Sequence, residues 1–117
     1  MLNYPSTEEI YISAKHVDMR KSFDGLALYI QQSLDKNPLT GKWFVFFNKN
    51  YDKVKIFYWD SNGPCFWYKR LEEGVFRPPR VQDKVYTVNS HELNLLLEGI
   101  DLTNKQRLGI VPVKTVN

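Results

Sequence analysis

The carboxylates that could hold metal ions or move protons, Asp18, Asp24, Asp60, Glu72 and Glu73, follow no spacing that one helix or strand would turn into a cluster. Phosphodiester chemistry by the metal route needs a trio of carboxylates around two divalent ions, and Asp60 falls at a turn. Cys65 follows Pro64 in a β-rich run, and His16 and His91 are both remote from it in sequence. That pattern matches neither an activated nucleophile nor a structural zinc site. His91, next to Glu92 in a first helical turn, reads as a surface residue. The expectation is therefore a protein that is not an enzyme and holds no metal or cofactor.

Cations and rings offer different chemistry. The stretch KVKIFYWDSNGPCFWYKRL, residues 53 to 71, gathers aromatics around Asn62-Gly63 and flanks them with Lys53, Lys55, Lys69 and Arg70. Rings beside positive charge can stack on bases and contact phosphates. The formal net charge is only +3, but residues 42 to 80 contain eight basic and four acidic side chains, whereas residues 81 to 117 contain four of each. Such a local excess points to a polyanion or to a solvated charged face.

The elements that must position these groups follow from periodicity. EIYIS alternates as a short first strand. Phe23, Leu26, Ala27, Ile30 and Leu34 form the apolar stripe of a helix over 22–35, capped by Asp18 or Ser22 and ended by Asn37-Pro38. Gly25 inside it suggests close backbone packing, because a helical glycine costs roughly 1 kcal/mol relative to alanine. WFVFFN, KVKIFYWD and CFWYKRL read as three strands of an antiparallel meander, with a short VFR strand after Gly74. VYTV is a candidate further strand. NSHELNLLLEGID reads as a second helix with Asn89 as cap, Glu92 as capping-box partner and Gly99 as stop. The predicted class is α+β: an antiparallel meander of four to five strands on one long helix, with a shorter C-terminal helix.

A two-residue Asn62-Gly63 turn would pair Trp59 with Phe66, Phe57 with Tyr68 and Lys55 with Arg70. One face then presents Trp43, Val45, Phe47, Val54, Ile56, Tyr58, Trp67 and Leu71, and its aliphatic content assigns it to the 22–35 helix. The other presents Phe44, Phe46, Lys53, Lys55, Phe57, Trp59, Phe66, Tyr68 and Arg70. This second face is either covered by the 89–99 helix, open to nucleic acid, or a dimer interface. GKWFVFF is similar to an RNA-recognition signature only in joining a basic residue to rings; the interior glycines and the second helix in the expected order are missing.

VDMRKSFDGLA, FVFFNK, KIFYWDSNGPCFWYKRLEEGVF and LLLEGIDL, taken in order and spacing over residues 16 to 102, resemble the accessory protein TnpB of the insertion sequence 66 family of bacterial transposable elements. Matching positions are Asp18, Met19, Arg20, Lys21, Gly25, Leu26, Tyr58, Trp59, Asp60, Gly63, Lys69, Arg70, Leu71, Gly74 and Phe76. Where the family has Phe-Arg-Trp-Pro, this chain has Phe76-Arg77-Pro78-Pro79. The resemblance implies a protein needed for transposition beside a larger transposase, and supplies no settled biochemical activity. Its possible partners are transposon-end DNA and the transposase. The candidate nucleic-acid contacts are Arg20, Lys21, Lys53, Lys55 and Arg70 for phosphates and Trp59 and Tyr68 for bases. The 117 residues are expected to form one cytoplasmic domain, with no secretory signal, no membrane span and a flexible tail over 103–117.

Overall fold

The computed structural model describes residues 10–103. The elements run β1 (Ile10–Ser13), α1 (Phe23–Gln32), β2 (Trp43–Phe47), β3 (Lys53–Asp60), β4 (Gly63–Arg70), β5 (Val85–Val88) and α2 (Ser90–Leu97). They build one sheet in the order β4-β3-β2-β1-β5. The predicted meander is present as β2-β3-β4. It is extended by β1, which lies parallel to β2 with Tyr11 opposite Phe44, and by β5, antiparallel to β1. The sheet is therefore mostly antiparallel rather than wholly so, because a parallel neighbour requires the crossover that α1 supplies. Residues 75–77, expected as a VFR strand, pair with nothing in the sheet. Instead the Phe76 N–H donates to the Tyr51 carbonyl at 2.7 Å and the Phe76 ring is buried against Phe47.

α1 has 10 residues and is not a long helix. The Ser33 and Leu34 amides both turn back on the Tyr29 carbonyl and the Lys36 amide on that of Ile30. Asp35 then takes a left-handed φ of 58°, which stops the helix before Asn37-Pro38 is reached. Ser22 occupies the N-cap position without a side-chain bond. α2 begins as expected: the Asn89 side chain accepts from the Glu92 amide at 2.8 Å and the Glu92 carboxylate accepts from the Asn89 amide at 2.9 Å.

The helices take the opposite faces from those predicted. Leu26 and Ile30 of α1, with Leu34 just beyond its end, bury Tyr11, Phe44, Phe46 and Phe57, the aromatic face. Leu93, Leu96 and Leu97 of α2 bury Ile10, Ile12, Trp43, Val45, Phe47, Val54 and Ile56 on the other. Which face a crossover helix covers is decided by the hand of its β-α-β unit, not by whether the face is aliphatic or aromatic. The β3-β4 register also differs. Asp60 pairs with Gly63, Phe57 with Phe66, Lys55 with Tyr68 and Lys53 with Arg70, so Ser61 and Asn62 form the turn and Lys55 does not face Arg70. Ser61, not Gly63, has the positive φ, and the Asn62 amide donates to the Asp60 carbonyl. The slip is two residues, and a slip of two preserves the face of every side chain. Trp67 accordingly stays on the aliphatic face, but as part of an edge strand it is half-buried rather than core.

Gly25 does not mark a close backbone approach. A side chain there would first meet Lys21 Cβ at 3.6 Å, which is ordinary contact.

Phe46 and Tyr68 lie on the same face, one under α1 and the other beyond its cover. Phe46→Ala should cost about 3–5 kcal/mol in denaturant unfolding and Tyr68→Ala within about 0.5 kcal/mol. Equal midpoints for the two variants would contradict α1 on this face.

Candidate nucleic-acid interface

α1 is too short and too far along the sheet to cover the whole aromatic face. It reaches the β3 rings through Phe23, which stacks on Phe57 at 5.2 Å and lies tilted against Trp59 at 5.9 Å. β4, at the sheet edge, remains outside that cover: Phe66 is 41% and Tyr68 51% exposed. Beside them sits the turn formed by residues 18–21, closed by the Lys21 amide donating to the Asp18 carbonyl at 3.1 Å.

Lys55 joins turn and strand. Its Nζ donates to the carbonyls of Met19 at 2.8 Å and Lys21 at 3.2 Å, and lies 4.9 Å from the centre of the Phe66 ring. Burial lowers its pKa, partly opposed by Asp18. The ammonium is thus engaged within the protein, unlike the free phosphate contact suggested by the sequence. Arg20 chelates the Asp18 carboxylate, with Nη2 to Oδ2 at 2.8 Å and Nε to Oδ1 at 3.1 Å, while the Arg20 amide donates to Oδ1 at 2.9 Å. These bonds hold the Asp18 carboxyl well below the usual range and raise the Arg20 guanidinium. Asp18 is therefore the partner of Arg20 rather than a helix cap, and the arginine, 91% exposed, keeps its outer edge to solvent.

The structure places the remaining candidates on the same side. Lys53 lies opposite Arg70 at the far end of the ribbon, where Arg70 pairs with exposed Glu72 at 3.3 Å. Such a surface pair is weak, and a phosphate can replace the carboxylate. Lys21 is exposed and its stem lies along Gly25. Trp59 is half-buried, so Tyr68 and Phe66 offer more ring surface than it does. Phe66 belonged to the predicted face, but its exposure depends on β4 being the edge. Lys69, on the opposite face as the alternation requires, donates to the Leu97 carbonyl at 2.8 Å and so answers the C-terminal end of α2.

The backbone adds a second property. The Leu71 amide donates to the Asp52 carbonyl at 2.8 Å, so odd-numbered residues of β4 direct their main-chain groups toward β3. Those of Phe66, Tyr68 and Arg70 therefore point outward, where no described strand pairs with them. Among the described residues no three His, Cys, Asp or Glu side chains gather where they could hold a metal ion, and no helix is long and apolar enough to cross a membrane.

A five-stranded sheet with a helix on each face, a basic turn and a ring-bearing free edge defines a small α+β protein with exposed rings and cations on one face. The chain belongs to the family described as IS66 Orf2 like protein, whose model matches residues 8–107. It is therefore an accessory protein associated with the transposition of an insertion sequence. Two relatives come from Sinorhizobium fredii. Its uncharacterized protein y4hO is 35% identical over 106 residues, covering 91% of this chain and 92% of the relative. Its uncharacterized protein y4jC is 34% identical over 98 residues, covering 84% of each. No solved structure matches the chain.

The two Lys55 bonds predict that Lys55→Met, which keeps the stem, destabilises by about 1–2 kcal/mol and raises amide exchange across residues 19–21. Unchanged exchange there would show that the turn does not need the lysine. For Asp18 the folded-state pKa is depressed, so its contribution is whole above about pH 4 and fades as pH falls through the folded value. Because both partners are exposed the effect on global stability is small, and it is read instead at the Arg20 amide. That resonance should titrate below pH 4 in wild type and lose this transition in Asp18→Asn.

Proposed function

We propose that this protein acts in transposition as a non-catalytic nucleic-acid-binding partner of the element's transposase, in the bacterial cytoplasm, using the exposed β3-β4 face and the 18–21 turn. One observation supports this most: Phe66 and Tyr68 lie exposed between the Arg20 and Lys21 turn and the Lys53 and Arg70 pair. Rings in that setting accept unstacked bases while the flanking cations meet the backbone. Lys55 acts behind them, holding the turn in place. Transposon-end DNA is the substrate this role calls for. Phosphate contacts position the protein without reading sequence, so base specificity belongs to the transposase.

The outward main-chain groups of β4 favour a second reading, in which the edge receives a strand from the transposase or from another copy. Tyr68→Pro measured against Tyr68→Ala separates the two, because both remove the ring and only proline removes the outward amide. The Tyr68 amide makes no bond to β3, so proline there spares the ladder but blocks strand addition. Loss of transposase binding with DNA binding retained would favour the adaptor role.

For the first reading, phosphate contacts by Arg20, Lys21, Lys53 and Arg70 should give a slope of log affinity against log salt of roughly −2.8 on single-stranded DNA, with each alanine substitution reducing its magnitude by about 0.7. Element-end DNA that fails to bind at low salt, or that binds a folded fourfold alanine variant as well as wild type, sinks the proposal.

A further inference from the structure

β1 and β2 run parallel and therefore finish at the same end of the sheet, where the loop after β2 meets the long connection from β4 to β5. A cavity of about 490 Å³ opens there. Crevices beyond the carboxyl ends of parallel strands are recurrent ligand sites, and this volume falls within the range of small-molecule pockets.

Its lining combines rings with positive charge. Tyr51, Phe76 and Tyr86 supply the aromatic surface, and Arg77 and Arg80 flank Pro78 and Pro79 along one side. Among the described residues no carboxylate lines the cavity, and neither guanidinium has a carboxylate partner. The other two described arginines, Arg20 and Arg70, both have one. Tyr51 is held at φ 59°, an uncommon conformation for a bulky residue. It is fixed there by the bond from the Phe76 amide to its carbonyl at 2.7 Å and by stacking of its ring on Phe47 at 5.3 Å. Backbone strain at a cavity wall is a pointer to function. Tyr86 is half-buried, its hydroxyl 3.5 Å from the Pro79 carbonyl, and burial raises its pKa so that it remains a hydrogen-bond donor.

We propose that this cavity binds a single nucleotide, with the phosphate between Arg77 and Arg80 and the base against Tyr51 and Tyr86. Two unpaired guanidiniums match the charge of a phosphate monoester or diester, and planar donors grip its oxygens in pairs. The rings give a base a stacking surface that inorganic phosphate would not use. None of the candidate residues of the β3-β4 face lines the cavity, so this site stands independently of that reading. The nucleotide could be free or could be an unpaired residue of a strand, since both present the same chemistry.

The test uses the full chain and isothermal titration calorimetry with four deoxynucleoside monophosphates, inorganic phosphate and a 5′-phosphorylated oligothymidylate. Both arginines are exposed, so Arg77→Ala and Arg80→Ala should leave folding intact, to be checked by thermal unfolding. At least one monophosphate should bind about tenfold or more tightly than inorganic phosphate, and the double variant R77A/R80A should weaken it about tenfold or more. An equal loss with the oligonucleotide assigns the site to a nucleotide within a strand; a loss confined to monophosphates assigns it to a free nucleotide. The proposal is overturned if no monophosphate binds, if inorganic phosphate binds as tightly, or if the folded double variant binds like wild type. Tyr51→Leu provides a second check, since it removes stacking but no charge: it should weaken the monophosphate and leave the weak phosphate binding unchanged. The fourfold variant of the β3-β4 face should bind monophosphate normally, which keeps failure of one site distinct from failure of the other.

Discussion

The parallel pairing of β1 with β2 is the constraint from which the architecture follows. A parallel neighbour cannot be reached by a hairpin, so the chain must cross over the sheet, and α1 is that crossover. With β1 inserted beside β2, the meander can grow only in the other direction, which makes β4 the terminal strand. β5 then closes the opposite side against β1. The same pairing brings the ends of β1 and β2 together and places the nearby loops around one cavity. Both candidate surfaces, an edge and a crevice, are thus products of a pairing of three residues with three.

Electrostatics then determines which cations are available to a partner. Lys55 and Lys69 occupy adjacent strands but face opposite ways, and each places its ammonium on backbone carbonyls, of the 18–21 turn and of α2 respectively. Such bonds satisfy carbonyls that would otherwise lack partners, and they anchor loop and helix to the sheet. Arg20 and Arg70 pair with carboxylates two residues away, in solvent-exposed contacts. Those contacts contribute little to stability and can be exchanged for a ligand's anionic groups at small cost. Position in sequence does not distinguish the two kinds of cation. Depth on the sheet does.

Local features were legible in the sequence to the extent that local physics governs them. The Asn89 and Glu92 box, the stripe of α1, the alternation of β2, β3 and β4 and the separation of two faces all follow from spacings within one element. The register slip did no harm to the faces because it was even. What could not be read was relational. No pattern in EIYIS states that it pairs parallel with WFVFF, and without that pairing the crossover is absent and the helices go to the wrong faces. The length of α1 failed for a local reason: Leu34 keeps the apolar period and is buried, but the chain has already left the helix at Ser33. Candidate cations fared likewise. Lys55 looked like its neighbours Lys53 and Arg70, and only the long-range contact with the 18–21 turn distinguishes it.

An exposed edge strand of 8 residues carrying Phe66 and Tyr68 is a hazard unless something restrains it. β4 has such restraints. Pro64 lacks an amide to offer outward, and Lys69 and Arg70 bring charge to the other end, where a second copy aligned in the same direction would meet like charge. An antiparallel neighbour avoids that repulsion, setting the basic end of each strand against the proline end of the other and the rings across from each other. The edge is consequently selective rather than closed: it disfavours parallel stacking while remaining open to one partner of suitable direction or to a polyanion. Phe66 rests partly on the buried Phe57, 5.7 Å between ring centres, while its outer side and Tyr68 are left to solvent and Trp67 covers the opposite face. Under the proposed function these two rings are the surface a partner would use, and the cations around them suit one that is negatively charged.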